Sequence, residues 1–459
     1  MVKFLPGISG DRRRNSGESP PPDTNLHSSS SSSSSLSLQT SLPSIPFPAS
    51  NTTARHHCSA TIRAHSSYVF SLAISGNLLL SASSSGDLRA WDLLHPNNHH
   101  SSSSASAPSH SAVKSIAVLH DGHRFFTAHH DHKIRAWKIQ THNINNNKNS
   151  KYKRIYFNTI QTHNNITTNK TTTTTNNNKS KTTDLKLITT LPTAWDRWFM
   201  NIFSAKNYVE IRRHKKCAWV RHADAVSGLA LSPDGLRLYS VSWDRSIKVW
   251  RASGGFRCAE SVPNAHDDAI NAVVCSPDGL VFTGSADKTI KVWKRNDDSN
   301  KGRHVPVSML EGHKSAVNAL ALNENGSVLY SGGCDRSVIV WERKDNEGGV
   351  VMVVAGKLRG HRKAILCLAA VGDLVCSGSA DKTVRVWRKL PESGGGSGGY
   401  SCLAVLEGHL GPVKCLAASR DFNDDSKNDE GKNDDGKLYR VYSGGLDFDI
   451  KVWEIWPPP

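Results

Sequence analysis

Apolar and polar residues alternate along short stretches of this chain, and the stretches come in tandem. Val241 to Trp250 is the clearest case, with hydrophobic residues at every second position on either side of Asp244-Arg245, which predicts two strands around a tight turn. Isoleucine and valine fill the second strand, where a pleated, half-buried surface favours them. The phrase returns when the chain is set in register on its last tryptophan, at Trp91, Trp137, Trp250, Trp293, Trp341, Trp387 and Trp453, with ordinary spacings of 43 to 48 residues. A period of that length predicts a repeat array, although 459 residues would otherwise suggest two or three unrelated domains.

Each copy also carries polar residues at fixed distances from its tryptophan. A hydroxyl stands ten positions earlier, at Ser81, Thr127, Ser240, Thr283, Ser331, Ser377 and Ser443. Six positions earlier comes an aspartate, at Asp131, Asp244, Asp287, Asp335, Asp381 and Asp447, with Ser85 in that slot of the first copy. A histidine precedes the aspartate slot by 20 to 22 residues at His65, His222, His266, His313 and His361. His409 is displaced by an insertion, and copy two has Ser109 there, one residue from His110. An indole N–H, a hydroxyl, an imidazole and a carboxylate inside a stack of sheets satisfy one another or cost several kcal/mol. The expectation is one buried hydrogen-bonded set per copy, with a structural role that its recurrence explains.

With Gly312-His313, Gly360-His361 and Gly408-His409 before the first strand of a copy and a tryptophan closing the third, the chain resembles the WD40 family. Only Trp91-Asp92 keeps the family's aspartate after the tryptophan. The resemblance implies an all-β fold, a single seven-bladed β-propeller. Between the motifs the wording is similar to plant Jingubang-type WD-repeat proteins, at Tyr208-Val-Glu-Ile-Arg-Arg-His-Lys-Lys, Asn264-Ala-His-Asp-Asp-Ala-Ile-Asn-Ala-Val, Tyr330-Ser-Gly-Gly-Cys-Asp-Arg-Ser and Leu403-Ala-Val-Leu-Glu-Gly-His. That likeness spans about residues 57 to 456 and implies a plant regulatory role, such as restraint of pollen germination, in cytoplasm and nucleus.

The ends of the array predict how the ring closes. His57 to His65 parallels Tyr400 to His409, a fourth strand leading into the next copy, yet no copy precedes it. After Trp453 the seventh copy lacks a fourth strand of its own. Residues 57 to 63 are therefore expected to complete the last blade, removing two open strand edges. The propeller is placed at 55–456, behind a Ser/Pro-rich tail at 1–54 that contains an unbroken Ser28 to Ser35 and is expected to be disordered. Low-complexity insertions are placed at 95–111, 141–183 and 421–437, the last with seven acids against three lysines. Lys215 to Val220 is read as the fourth strand of blade two, with Trp195, Trp198 and Phe199 in a short capping segment.

A net charge of +17 raises nucleic acid or an anionic membrane as partners. Much of the excess has another source: Thr141 to Thr183 holds seven Lys or Arg and no acid, and Lys248, Lys291, Arg385 and Lys451 alternate with inward residues and are expected to face solvent. No basic stripe interleaved with aromatics appears, which argues against a nucleic-acid surface. Nine cysteines form no Cys-x-x-Cys pair and have no metal-ligand spacing with histidine, so they read as core filling in a reduced compartment. The apolar stretch of a signal peptide is missing after Met1, no run is long enough to span a bilayer, and the Asn165 sequon is expected to be idle. No Gly-x-Ser-x-Gly, P-loop or His-Glu-x-x-His occurs, so neither an enzyme nor a cofactor is expected.

What remains is a ring that presents loops to other proteins, as a monomeric scaffold or adaptor in cytoplasm or nucleus, for regulatory proteins or transcription factors. The WD40 resemblance implies exposed top-face side chains at the residue before the Asp and at the third and fifth residues after the His. Those slots hold Tyr68, Phe70, Lys114, His130, Trp243, Lys414 and Leu446, and also Ser84, Ala225, Ser227, Asn271, Asn318, Cys334 and Leu366. Tyr68, Phe70 and Trp243 are the candidate anchors, because aromatic residues dominate binding hot spots. Two alternatives stand beside this reading. A ubiquitin-ligase substrate receptor would carry Trp-Asp-x-Arg at a repeat end, and Trp91-Asp-Leu-Leu is the nearest approach. A basic, chromatin-associated propeller would draw on the charge excess.

Overall fold

The computed structural model describes residues 53–93, 103–106, 110–143, 181–194, 196, 208–212, 215–218, 220–296, 302–346, 349–390, 399–420 and 438–458. The strands form seven four-stranded antiparallel sheets and one separate hairpin. The innermost strands of the seven sheets are Val69–Ser75, Val113–Val118, Val226–Leu231, Ile270–Cys275, Val317–Leu322, Ile365–Val371 and Val413–Arg420. Each packs against the next and the last packs against the first, so the sheets are the blades of a closed β-propeller.

The core lies between blades. Tyr239, Val241 and Val249 of blade three share one apolar cluster with Ile270, Val273, Val281 and Trp293 of blade four. A blade is thus covered on both faces, and alternation along its strands does not separate core from solvent as it would in a one-sided sheet. This corrects the expectation for the cations two residues before the repeat tryptophans. Lys248 is only 3% exposed and its Nζ donates to Ser261 Oγ at 2.7 Å. Lys291 Nζ donates to Ala265 O at 2.8 Å, Lys451 Nζ to Thr61 Oγ1 at 3.0 Å, and Arg385 lies against Cys402 Sγ at 3.6 Å. Lys248, Lys451 and Arg385 reach residues of the outermost strand of their blade, whereas Lys291 reaches the loop that enters its blade.

Closure follows the expected route. Arg55–Arg63 pairs antiparallel with Asp449–Trp456 as the fourth strand of blade seven, with Thr61 opposite Lys451 and Ile62 opposite Ile450. Ile62 is buried in a cluster that joins Val452 of the last blade to Val69 and Trp91 of the first. The strand is also held at its beginning, where Ala54 is buried and its N–H donates to Leu403 O of blade six at 2.9 Å. Arg55 lies over the Trp456 ring at 5.1 Å and His57 stacks on it at 5.4 Å.

Blades one and two end differently from the sequence expectation. The fourth strand of blade one is Ser103–Ser106, within the stretch read as an insertion. In blade two the third strand runs on to Asn143 and the fourth is Lys181–Leu191, so both ends of the 141–183 tract are paired strand. Lys215–Ala218 pairs instead with Tyr208–Arg212 as the hairpin. Leu185 and Leu187 pack on the cluster around Trp137, which fixes the register of Lys181–Leu191 by burial and fills the fourth place in the blade that Lys215 to Val220 was expected to take. Trp195, Trp198 and Phe199, the tail up to residue 52 and the 421–437 insertion lie outside the described residues.

Candidate functional site

The polar positions of the repeat come together in five blades. In blade three Trp250 Nε1 donates to Ser240 Oγ at 2.9 Å, His222 Nε2 lies 2.8 Å from the same oxygen, and His222 Nδ1 lies 3.1 Å from Asp244 Oδ2. With Nδ1–H turned to the carboxylate, Nε2 is left to accept the hydroxyl proton. Asp244 also accepts from Ala223 N at 2.7 Å and from Ser246 Oγ at 2.6 Å, which ties the turn to the incoming loop. Burial alone would raise its pKa, but hydrogen bonds from His222 and Ser246 and the N–H of Ala223 hold it far below the ordinary carboxylate range. The same set recurs at His266, Thr283, Asp287 and Trp293. It recurs again at His313, Ser331, Asp335 and Trp341 and at His361, Ser377, Asp381 and Trp387. Blade seven has His409, Ser443, Asp447 and Trp453, despite the insertion.

Serine, histidine and aspartate in this connectivity match the parts of a nucleophilic triad. Ser240 has no exposed surface and its oxygen already takes the indole proton, so the set offers no nucleophile to a substrate. Among the described residues no group of three or more His, Cys, Asp or Glu side chains could hold a metal ion.

Blades one and two depart from the pattern. In blade one His65 Nε2 and Trp91 Nε1 meet Ser81 Oγ at 2.9 and 2.8 Å, but His65 Nδ1 has no partner. The carboxylate has moved two residues on: Ser85 Oγ donates to Asp87 Oδ2 at 2.9 Å. Burial, with Arg89 nearby, drives the His65 pKa down to about 4. In blade two Trp137 Nε1 donates to Thr127 Oγ1 at 2.8 Å, and the imidazole comes from His129 at 2.7 Å. His110 is exposed, and Asp131 pairs with the Arg135 guanidinium at 2.7 Å. The signal for His129 was period two: it stands two residues after Thr127 on the same face of one strand.

A second device positions the top-face residues. Every innermost strand carries a bulge at the same place, and the residue inside it is Phe70, Lys114, Ser227, Asn271, Asn318, Leu366 or Lys414. A bulge leaves one residue unpaired and re-aims its side chain. In blades three to five that side chain bridges to the next blade: Ser227 Oγ donates to Ile270 O at 2.5 Å, Asn271 Nδ2 to Val317 O at 2.9 Å and Asn318 Nδ2 to Ile365 O at 2.8 Å. Asn271 and Asn318 are therefore committed to the ring, a correction to their place among the top-face slots. At the other junctions the following residue makes the link: Cys367 Sγ to Val413 O, Cys415 Sγ to Val69 O, and Ser71 and Ser115 accepting Ile116 N and Leu229 N.

Phe70 and Lys114 keep their bulge side chains for the face itself. Lys114 Nζ lies 4.7 Å from the centre of the Phe70 ring and 5.0 Å from that of Trp243, a cation held between two aromatic faces. Burial, and then the charge of Lys414, lowers its pKa to about 8. Tyr68 lies 6.3 Å from Phe70, and the exposed His130 meets Trp243 edge-on at 6.2 Å. Tyr68 is 42% and Trp243 38% exposed, whereas Lys414 and Leu446 are half-buried. One residue of blade seven extends the patch: Phe448, 42% exposed, with its ring 5.4 Å from Tyr68. Phe448 occupies a left-handed turn position where the other late blades carry Arg245, Lys288, Arg336 and Lys382.

Comparison with known proteins agrees with this architecture. The family model described as "WD domain, G-beta repeat" matches at residues 56–92, 101–138, 215–251, 258–294, 304–342, 353–388 and 400–454. The chain is 33% identical over 119 residues to a ribosome biogenesis protein ytm1 of Aspergillus niger, 23% of this chain and 24% of that one. It is 34% identical over 97 residues to WD-40 repeat-containing protein MSI4 of Arabidopsis thaliana, 20% of this chain and 19% of that one. It is 30% identical over 200 residues to autophagy-related protein 16 of the same plant, 43% of this chain and 36% of that one. The chain thus spans about a fifth to a third of the length of these relatives. Seven matched repeats covering more than half of the sequence, on a closed seven-bladed ring, place the chain in the WD40 family.

Proposed function

We propose that this protein is a non-enzymatic scaffold that binds regulatory proteins through the top face of blades seven, one, two and three. The observation that carries the reading is the Phe70, Lys114, Trp243 sandwich with Tyr68 and Phe448 exposed beside it. Exposed aromatics grouped around a partly desolvated cation make a hot spot for a partner that brings an apolar or aromatic side chain with an acidic neighbour. Similarity to Jingubang-type proteins supports a plant regulatory role, such as restraint of pollen germination, carried out in cytoplasm or nucleus by a monomer. The names of the relatives span ribosome biogenesis and autophagy and do not favour one pathway. Lys248 is buried and Lys291 and Arg385 are half-buried with their cationic groups against Ala265 O and Cys402 Sγ, which weakens the chromatin alternative, because those charges do not form an outer basic surface.

The test is affinity capture from plant tissue with the wild type and a Tyr68→Ala/Trp243→Ala variant. The variant loses the partners that the wild type captures while its melting temperature stays within a few degrees, since both side chains are more than a third exposed. An unchanged set of partners in the folded variant contradicts the site.

A further inference from the structure

Blades five and six form an open pocket of about 310 Å³ lined by Lys314, Arg336, Lys357 and Arg359 together with Asp335 and Ser337. Its one carboxylate is fully engaged: Asp335 accepts from His313 at 3.1 Å, from Ser337 Oγ at 2.6 Å and from Lys314 N at 3.0 Å, and Lys357 Nζ lies 3.5 Å away. Lys357 therefore balances Asp335. The side chains of Lys314, Arg336 and Arg359 are exposed and make no ion pair with a described residue.

Comparison among the repeats separates what the fold requires from what it does not. Blades four and six enter the next blade with Met309-Leu-Glu311-Gly-His and Val405-Leu-Glu407-Gly-His, whereas blade five reads Lys357-Leu-Arg359-Gly-His. Lys357 has a structural explanation: it faces Ile339 across the strand pair, so the cation that Lys291 and Arg385 supply from the third strand comes here from the fourth. Arg359 has none. It reverses the charge of Glu311 and Glu407 at the same register, and it does so at the mouth of the pocket.

We propose that this pocket binds the phosphoryl group of a phosphate monoester. Three unpaired cations call for a polyvalent anion, a phosphate monoester carries close to two charges at neutral pH, and two guanidinium groups can each grip its oxygens in a fork. A single carboxylate leaves the cluster overcharged. The site involves blades five and six and is independent of the aromatic patch on blades seven to three.

Calorimetric titration of the full-length protein with O-phospho-L-serine, inorganic phosphate and unphosphorylated serine tests the assignment. Saturable binding of the ester, with serine silent, is expected. Tighter binding of the ester than of inorganic phosphate identifies a phosphorylated side chain or metabolite as the source, and equal binding identifies the free ion. Arg359→Glu installs the residue that the sister blades carry there, so the ring folds, and it weakens binding at least tenfold. Arg245→Glu, which removes from blade three the turn cation that corresponds to Arg336, leaves binding unchanged. Absence of saturable binding, unchanged affinity in Arg359→Glu, or equal losses in the two variants overturns the proposal; equal losses mean that only the overall positive charge attracts the anion.

Discussion

Asp244→Ala lowers the stability of the ring by about 1 to 3 kcal/mol, because it strands several buried donors at once. Asp244 accepts from His222, from the backbone of Ala223, and from both the N–H and the hydroxyl of Ser246. Alanine leaves those part-buried groups without their carboxylate partner. Asp287→Ala and Asp381→Ala cost a similar amount for the same reason. Ser85→Ala costs less, since blade one lacks a carboxylate at that position and Ser85 links only to Ser67, Ser83 and Asp87 near the surface. Thermal or denaturant unfolding of the four variants measures the difference. Equal losses at all four positions would mean that the aspartates do not carry the networks.

Removal of everything before Ala64 has the larger effect, upward of about 4 kcal/mol from lost strand hydrogen bonds and the burial of Ile62. Such a chain keeps every repeat tryptophan but leaves blade seven with three strands. The long edge of Asp449–Trp456 is then free to pair with another copy, so the truncated protein melts lower and forms oligomers on size-exclusion chromatography. A truncated chain as stable and monomeric as the full protein would remove the closing strand from the account.

The parts of the fold that repeat were legible in the sequence, and the parts that deviate were not. Tryptophan, hydroxyl and aspartate at constant offsets located the second and third strands of every blade, because a buried polar set tolerates little change. Ser103–Ser106 has no apolar alternation, so nothing marks it as a strand except its pairing with Asp87–Asp92. Lys181–Leu191 stands after a long Asn/Thr/Lys tract, and that separation hid a register set by Leu185 and Leu187. Alternation misplaced Lys248 because both faces of a blade are covered, and a lysine stem packs well against apolar neighbours while its amine finds an oxygen. At the candidate site, Tyr68, Phe70 and Trp243 were found through the family's slots. Phe448 was missed, although an aromatic residue where the other late blades carry Arg or Lys was a signal available in the sequence.

The central claim is that one sheet holds both ends of the propeller, with Thr61 facing Lys451 across the closing pair. Neighbouring positions on antiparallel strands lie within the span that a disulfide bridges. In a Cys58→Ser background, which removes the competing thiol nearby, Thr61→Cys combined with Lys451→Cys therefore forms an intramolecular bond under mild oxidation of the native protein. Peptide mapping by mass spectrometry should recover positions 61 and 451 joined, and reduction should lower the melting temperature again. If the folded, oxidised protein keeps both engineered thiols free, the two ends do not meet and the closed ring described here is wrong.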